Sequence, residues 1–452
     1  MKADSSDSSF REEMRLDSLR IKRFKSLYNV HLEFSNFRVL TGPNGSGKSN
    51  LVDAIGFLGE AYRFGIDYAV GRSGGIDSIA WRAQRRTTIG VQFVVKASLN
   101  LSELPLYSGR ARRNKVPDLA CSIEHEFTIK PASGHSASDY AVRHEAFNVH
   151  IEDSDGWLQI LSLSGDAEGD LKVDMIPSGG LTEELSEACR LALGYLWRER
   201  EMAAQEELFS FPGTQEGSGL DALATPIPIF REFRRRMSFI QAYRLNPSAC
   251  RKPGALTPNA ALDSDGGNLP AVVARMTLRQ NAVWQRVMSG MQHIMSGLEN
   301  ISTEPSPDSG GLVLKFHEQG GGRPWFAREV SDGTIQALAL LIALHDKRRP
   351  IVLVEEPENA IHPWVLRRFL DDCREVGDRQ VVLTTHSPIL LKLLRPEEVV
   401  LLWRTEGKSN IKPLMKTSPE VRGLYYEKGF DVFDIYDSGL IPQSLPGNDA
   451  EG

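Results

Sequence analysis

The chain has 452 residues, 41% of them hydrophobic and 25% charged, with a formal net charge of −6. That composition describes a globular protein with room for two or three domains, or for one large α/β domain with an insertion, and it excludes a chain that is basic all over. The longest apolar run, Ala337–Leu344, is far too short for a membrane span and the N-terminus is polar and acidic, so a cytoplasmic protein with no membrane contact is expected.

Residues 1–14 read as a disordered leader and 442–452 as a disordered tail. From 15 to 165 the texture is that of strands. Ile89, Val91, Phe93 and Val95 alternate with polar residues, as do Cys121, Ile123, His125, Phe127 and Ile129, and then Phe147, Val149 and Ile151, which predicts an antiparallel sheet. Within this stretch Gly42–Ser49 reads GPNGSGKS, a match to G-x-x-x-x-G-K-[ST] between a strand through Val39 and Leu40 and a helix over Asn50–Leu58. Such a loop binds phosphate. Backbone N–H groups freed by Gly42, Gly45 and Gly47 can wrap a β-phosphate, Lys48 can bridge the β- and γ-phosphates, and the Ser49 hydroxyl can take one Mg²⁺ position. The run Gly42, Pro43, Asn44, Gly45, Ser46, Gly47, Lys48, Ser49 and Asn50 is the expected nucleotide-contacting set.

Residues 166–300 read as a mostly helical insertion, with apolar residues at three- and four-residue spacing over Leu181–Leu208 and Ala271–Leu298 and a turn at Asp263–Pro270. From 301 to 441 strands and helices alternate: Leu312, Leu314 and Phe316, a helix at 334–346, a buried strand at 351–354, a helix near 363–376 and a strand at 380–384. Alternation of this kind implies parallel βαβ units and an α/β fold class. Four basic runs, Arg20–Lys25, Arg110–Lys115, Arg231–Arg236 and Lys347–Arg349, are candidate nucleic-acid patches that also fit solvated faces. Cys121, Cys189, Cys250 and Cys373 form no C-x-x-C pair and read as buried apolar residues.

Three short runs in the last third carry further chemistry. Ile351–Glu356, IVLVEE, is a buried strand ending in two carboxylates at the carboxyl edge of the sheet, where α/β proteins bind ligands. Glu355 is the expected Mg²⁺ ligand, directly or through water, and Glu356 the expected general base. Ser331, Asp332, Gly333 and Thr334 begin a helix whose apolar face is Ile335, Leu338, Leu341 and Ile342, with Ser331 as N-cap, and a helix start of this kind attracts an anion. His386, in Thr384–Pro388 (TTHSP), closes the next strand within reach of a γ-phosphate.

In this order GPNGSGKSN, SDGT, VEEPENAIHP and TTHSP resemble the Walker A, signature, Walker B with D-loop, and switch-histidine motifs of ABC-type ATPases of the RecF, SMC and OLD-like branch. The lead-in LRIKRFKSL and the stretch from Tyr243 to Pro270 resemble its compact prokaryotic members. The resemblance implies an ABC-ATPase head: a mixed core sheet carrying the P-loop, an antiparallel β subdomain and the helical insertion. It also implies ATP and Mg²⁺ as cofactors, and a head-to-tail dimer or higher oligomer in which each ATP lies between Lys48 of one chain and Ser331 of the other. A separate effector such as a nuclease, in an antiviral system, is the partner it suggests, with a RecF-like DNA-binding repair role and an ATP-gated scaffold as alternatives. The glutamine that senses Mg²⁺ in the family is assigned to Gln84, with Arg82 and Gln92 as competitors. Asp431, Asp434 and Asp437 are spaced like metal ligands but sit in a segment too short for a nuclease domain, so a structural role is expected.

Overall fold

A computed structural model describes residues 14–81, 90–103, 119–131, 140–154, 156–165, 171–176, 181–194, 210–211, 227–255, 257, 259–279, 281–306, 310–377, 379–439 and 441. In chain order the first strands are β1 (Arg15–Phe24), β2 (Leu27–Glu33), β3 (Phe37–Thr41), β4 (Val91–Asn100), β5 (Ala120–Pro131) and β6 (Tyr140–Asp153). Then come β7 (Gly156–Gly165), β8 (Leu171–Met175), β9 (Ser210–Phe211), β10 (Gln241–Tyr243), β11 (Leu298–Pro305) and β12 (Leu312–Glu318). The last are β13 (Trp325–Phe326), β14 (Ile351–Glu355), β15 (Gln380–Thr385), β16 (Val399–Thr405) and β17 (Lys408–Pro413).

Eight strands form an antiparallel sheet in the order β2-β1-β4-β5-β6-β7-β8-β9. Their period-two alternation turns one face inward: Phe93, Phe127 and Phe147 are fully buried there, while Lys96 and His144 stay on the wet side. The core sheet runs β10-β14-β15-β3-β16-β17, parallel from β10 to β16 with β17 antiparallel at its edge. A small third sheet joins β11, β12 and β13.

The core sheet is buried on both faces, which is why its strands are continuous apolar runs rather than alternating ones. On β14 Ile351 and Leu353 join the hydrophobic cluster that contains the P-loop helix and the antiparallel sheet. Val352 and Val354 join a second cluster, built around the helix Asp332–His345. Each of these four side chains is at most 1% exposed, and full burial is worth about 1.5–3 kcal/mol apiece. The P-loop helix and the Ser331-capped helix therefore lie on opposite faces of one sheet.

Several expectations need correction. Met14, placed in a disordered leader, is buried against the antiparallel sheet. The insertion expected over 166–300 is not one helical block. β8 and β9 within it extend the antiparallel sheet, and β10 is an edge strand of the core sheet. Its helices divide between the two clusters: Glu183–Leu193 and Pro228–Met237 pack on the first, Leu269–Arg279 and Asn281–Ile294 on the second. The helix expected from Leu181 spans Glu183–Leu193, with Thr182 as its cap, and residues 195–209 and the tail 442–452 lie outside the described residues. The helix Asp332–His345 does not carry a single apolar face; every residue from Ile335 to Leu344 is buried, as suits a helix packed in a core all round.

Candidate functional site

The P-loop joins β3 to the helix Lys48–Phe64. Gly47 has φ 108, and a Cβ there would strike the Ser409 hydroxyl of β17, so this turn needs glycine on both backbone and steric grounds. Ser409 is tied to Ser26 between β1 and β2: the hydroxyls are 2.7 Å apart, and Ser409 N donates to Ser26 O at 2.8 Å. Asn50 Nδ2 donates to the Ser26 hydroxyl at 2.7 Å, closing a network around the loop.

Inside the loop Lys48 Nζ donates to Gly42 O at 2.7 Å and to Pro43 O at 3.1 Å. Burial pushes the Lys48 ammonium below the usual lysine range, and Glu356, Glu355 and Glu358 pull it back upward. The Ser46 hydroxyl is buried with no hydrogen-bond partner among the described residues. A buried hydroxyl in that state is what a phosphate oxygen would satisfy, so the loop fits a polyphosphate.

The parallel registers bring the acids to the same edge. Glu355 stands opposite Thr384 across the β14–β15 pair, and Thr385 opposite Thr41 at the start of the loop. Glu356 leaves β14 at φ 47, a left-handed conformation uncommon outside glycine and asparagine. Its backbone N–H donates to Thr384 O at 3.0 Å. Both carboxylate oxygens are engaged: Oε1 lies 3.0 Å from His386 Nδ1, and Oε2 accepts from Asn359 Nδ2 at 3.1 Å. Glu358 is held by the Thr385 hydroxyl, while burial raises its carboxyl above the usual range.

Ser331 caps its helix as expected, accepting from Thr334 N at 3.2 Å. Gly333 packs on the segment after Glu356: a Cβ there would lie 2.5 Å from Ala360 O. Arg251 clamps the turn ahead of this helix, donating to Ala327 O at 2.9 Å, to Val330 O at 2.8 Å and to the Asp332 carboxylate. Among the described residues no hydrogen bond or ion pair joins Ser331, Asp332, Gly333 or Thr334 to the P-loop.

Gln84 and its competitor Arg82 lie outside the described residues, and Gln92 sits on β4, donating to Glu126 on β5. The side chain found against Glu355 is Arg244, at the end of β10, which also pairs with Asp53 of the P-loop helix at 2.6 Å. Burial disfavours the Arg244 charge, but its hydrogen bonds to Glu355 and Asp53 prevail and raise its pKa. Lys25 pairs with Asp53 as well. Arg244 was missed because a three-residue strand leaves almost no periodicity to read. The Ser49 hydroxyl and the Glu355 carboxylate are hard oxygen groups of the chemical kind that would suit Mg²⁺.

Several arginines of the basic runs are paired within the chain, although Arg20, Arg235 and Lys347 are exposed. Arg235 and Arg236 both pair with Glu232, Arg234 Nε donates to Tyr62 O, and Arg348 pairs with Asp346 beside a buried Arg349. Arg23 donates to Gly90 O, and Arg110–Lys115 lies outside the described residues. Asp431 and Asp434 cap the helix Val432–Asp437 reciprocally, and no group of three or more potential ligands able to hold a metal occurs among the described residues. All four cysteines are free and buried, and no helix among the described residues is long and apolar enough to cross a membrane.

The arrangement is a nucleotide-binding head of ABC type, with a phosphate loop, paired acids and a histidine at one sheet edge and a separate capped helix start. Two family profiles match it: "RecF/RecN/SMC N terminal domain" over residues 15–64, and "AAA domain, putative AbiEii toxin, Type IV TA system" over 206–392. Over 63 residues the chain is 49% identical to structural maintenance of chromosomes protein 1 of Caenorhabditis elegans, covering 13% of this chain and 5% of that one. Over 106 residues it is 32% identical to DNA replication and repair protein RecF of Beutenbergia cavernae, covering 23% and 24%. These matches span a quarter or less of the curated relatives. The SMC head domain from Thermotoga maritima aligns over 88% of this chain and 98% of its own, at 14% identity and a TM-score of 0.36. In its phosphate loop and in its last third the chain is thus similar to ABC-type P-loop proteins of the RecF and SMC branch.

Proposed function

We propose that the chain binds ATP with Mg²⁺ and hydrolyses it, acting as a switch whose heads close head to tail around the nucleotide and drive a separate effector. The observation that carries this reading is the division of the site by the core sheet. Lys48, Glu356 and His386 gather at the edge served by the P-loop, while Ser331–Thr334 start a helix on the other face, so a second chain is needed to bring a capped helix start to the phosphates. The free N–H groups of that helix start would meet the γ-phosphate of the partner's nucleotide.

Within one head the residues divide the work. The P-loop and Lys48 hold the phosphates; Glu356, fixed by Asn359 and His386, takes the proton of the attacking water; and His386 Nε2, left free by the Nδ1 contact, can face the γ-phosphate. Ser49 and Glu355 would hold Mg²⁺, which supplies charge neutralisation to the β- and γ-oxygens when bound. An effector in antiviral defence, such as a nuclease, is the partner we propose, in keeping with the toxin–antitoxin wording of the family profile over 206–392. The RecF-like alternative, with duplex DNA gripped by basic runs, is weakened by the internal pairing of Arg235, Arg236 and Arg348.

ATP turnover and molar mass measured together test the proposal. Wild type should hydrolyse ATP and the Glu356→Gln chain should not, while ATP holds that variant as a stable dimer. Equal turnover in both removes Glu356 as the base; binding and dimerisation with turnover at background in both identify an ATP-gated scaffold instead.

A further inference from the structure

Arg244 follows β10, whose Tyr243 pairs with Val354 on β14, so its backbone stands beside Glu355 at the sheet edge. Its N–H donates to Ser264 O at 2.7 Å, which fixes the main chain and leaves the side chain as the movable part. From there the guanidinium makes two ion pairs: Nε to Glu355, and Nη2 to Asp53 at 2.6 Å, with Nη2 also 3.5 Å from Ser49 O. Asp53 lies one turn after Ser49 on the P-loop helix. A single positive group thus already bridges the carboxylate and the helix turn between which Mg²⁺ is expected.

An arginine cannot ligate a metal, because it has five donors and no acceptor. A guanidinium and a dication cannot both occupy the inner side of Glu355 without strong repulsion. The Arg244 side chain is 50% exposed, against 13% for Glu355, so the arginine is the partner with room to move. Behind it opens a cavity of about 990 Å³ whose walls carry both signs of charge, Glu60, Asp263 and Asp265 with Lys25, Arg63, Arg72 and Arg349. Glu60 already pairs with Arg72 at 3.0 Å, so Asp263 and Asp265 are the carboxylates a displaced guanidinium would meet there.

We propose that Arg244 is a displaceable resident cation that competes with Mg²⁺ for Glu355, so that metal entry requires its guanidinium to swing away from Glu355 towards Asp263 and Asp265 in the adjoining cavity. The inference rests on the ATP-site reading above. It makes Arg244 a positioning residue that sets the metal concentration at which the site becomes competent, and it keeps Glu355 neutralised until a metal arrives.

The test uses the full chain and Mn²⁺, whose free concentration is read by electron paramagnetic resonance, alone and with a non-hydrolysable ATP analogue. Arg244→Gln removes the competing charge and should lower the half-saturating Mn²⁺ by about tenfold or more, by the Coulomb interaction of close charges at intermediate dielectric. Arg244→Lys keeps a charge and should stay near wild type. Adding Glu355→Gln to Arg244→Gln should abolish the tightening. An unfolding midpoint for Arg244→Gln confirms that a folded chain is compared. Half-saturation for Arg244→Gln equal to or above wild type overturns the proposal. Failure of the analogue to bind wild type at any metal concentration overturns the ATP reading instead, and the metal-only titration still decides whether Arg244 competes.

Discussion

The antiparallel sheet and the core sheet solve opposite problems with the same backbone. The antiparallel sheet shows one face to the interior and one to solvent, so its strands alternate and its inward aromatics do the packing: Phe93 stacks on Phe57 of the P-loop helix at 5.5 Å and on Phe127 at 5.3 Å. The central strands β14 and β15 have no wet face, so their bodies spend their side chains on packing and present chemistry where they end. Glu355, Glu356, Thr384, Thr385 and His386 all stand at such ends. Along such a parallel strand the body carries the packing and the tip carries the chemistry.

Four measurements can break or sharpen that contrast. Glu356→Gln alters only a strand tip: ATP turnover should fall by about 10²–10⁴-fold with an unchanged urea midpoint. A large drop in the midpoint would show that the tip also bears the packing. Phe93→Ala is the reverse case. Emptying this fully buried position should cost about 3–5 kcal/mol in a denaturant titration, with turnover per folded molecule retained.

Arg251→Ala falls between the two, since it removes three hydrogen bonds ahead of the Ser331 helix and touches neither sheet. A loss of about 1.5–3 kcal/mol in ATP-driven association is expected, with nucleotide affinity of the single head unchanged. Analytical ultracentrifugation and fluorescent-nucleotide titration separate those two quantities.

The smallest effect is alkaline. Burial pushes the thiols of Cys189, beside the antiparallel sheet, and Cys250, in the other cluster, up to about 12. A folded-state pKa raised above the unfolded value means that the folded chain holds the proton longer, so this stability is full below the unfolded thiol pKa and is lost as pH rises through the window up to about 12. Between pH 8 and 9 each thiol should therefore remove about 0.7 kcal/mol, and Cys189→Ala should shrink the fall without abolishing it. An unfolding midpoint that rises over that interval would contradict the sign.

What the sequence made legible follows the same division. Gly42–Ser49, the Ile351–Glu356 strand and the Ser331 cap are local patterns, complete within a few residues, and the structure places them where those patterns put them. The alternation of β4, β5 and β6 was equally plain. Two things were not legible. β10 is three residues long, and the significance of Arg244 lies in acids 111 and 191 positions away. The supposed insertion mixes helices serving two cores, and a helical period records that a face is buried without saying against what. Its boundary at 165 failed because β8 and β9 continue a sheet across a segment whose neighbours read as helix.

The network of Ser26, Asn50 and Ser409 around Gly47 has a kinetic meaning. A phosphate loop braced from two neighbouring hairpins is shaped before any ligand arrives, so little conformational entropy remains to be lost when phosphate enters it. On the proposed ATP reading, capture of nucleotide would then proceed at the pace of encounter and desolvation, and the slow rearrangements would fall to whatever must move afterwards, outside the cradle itself.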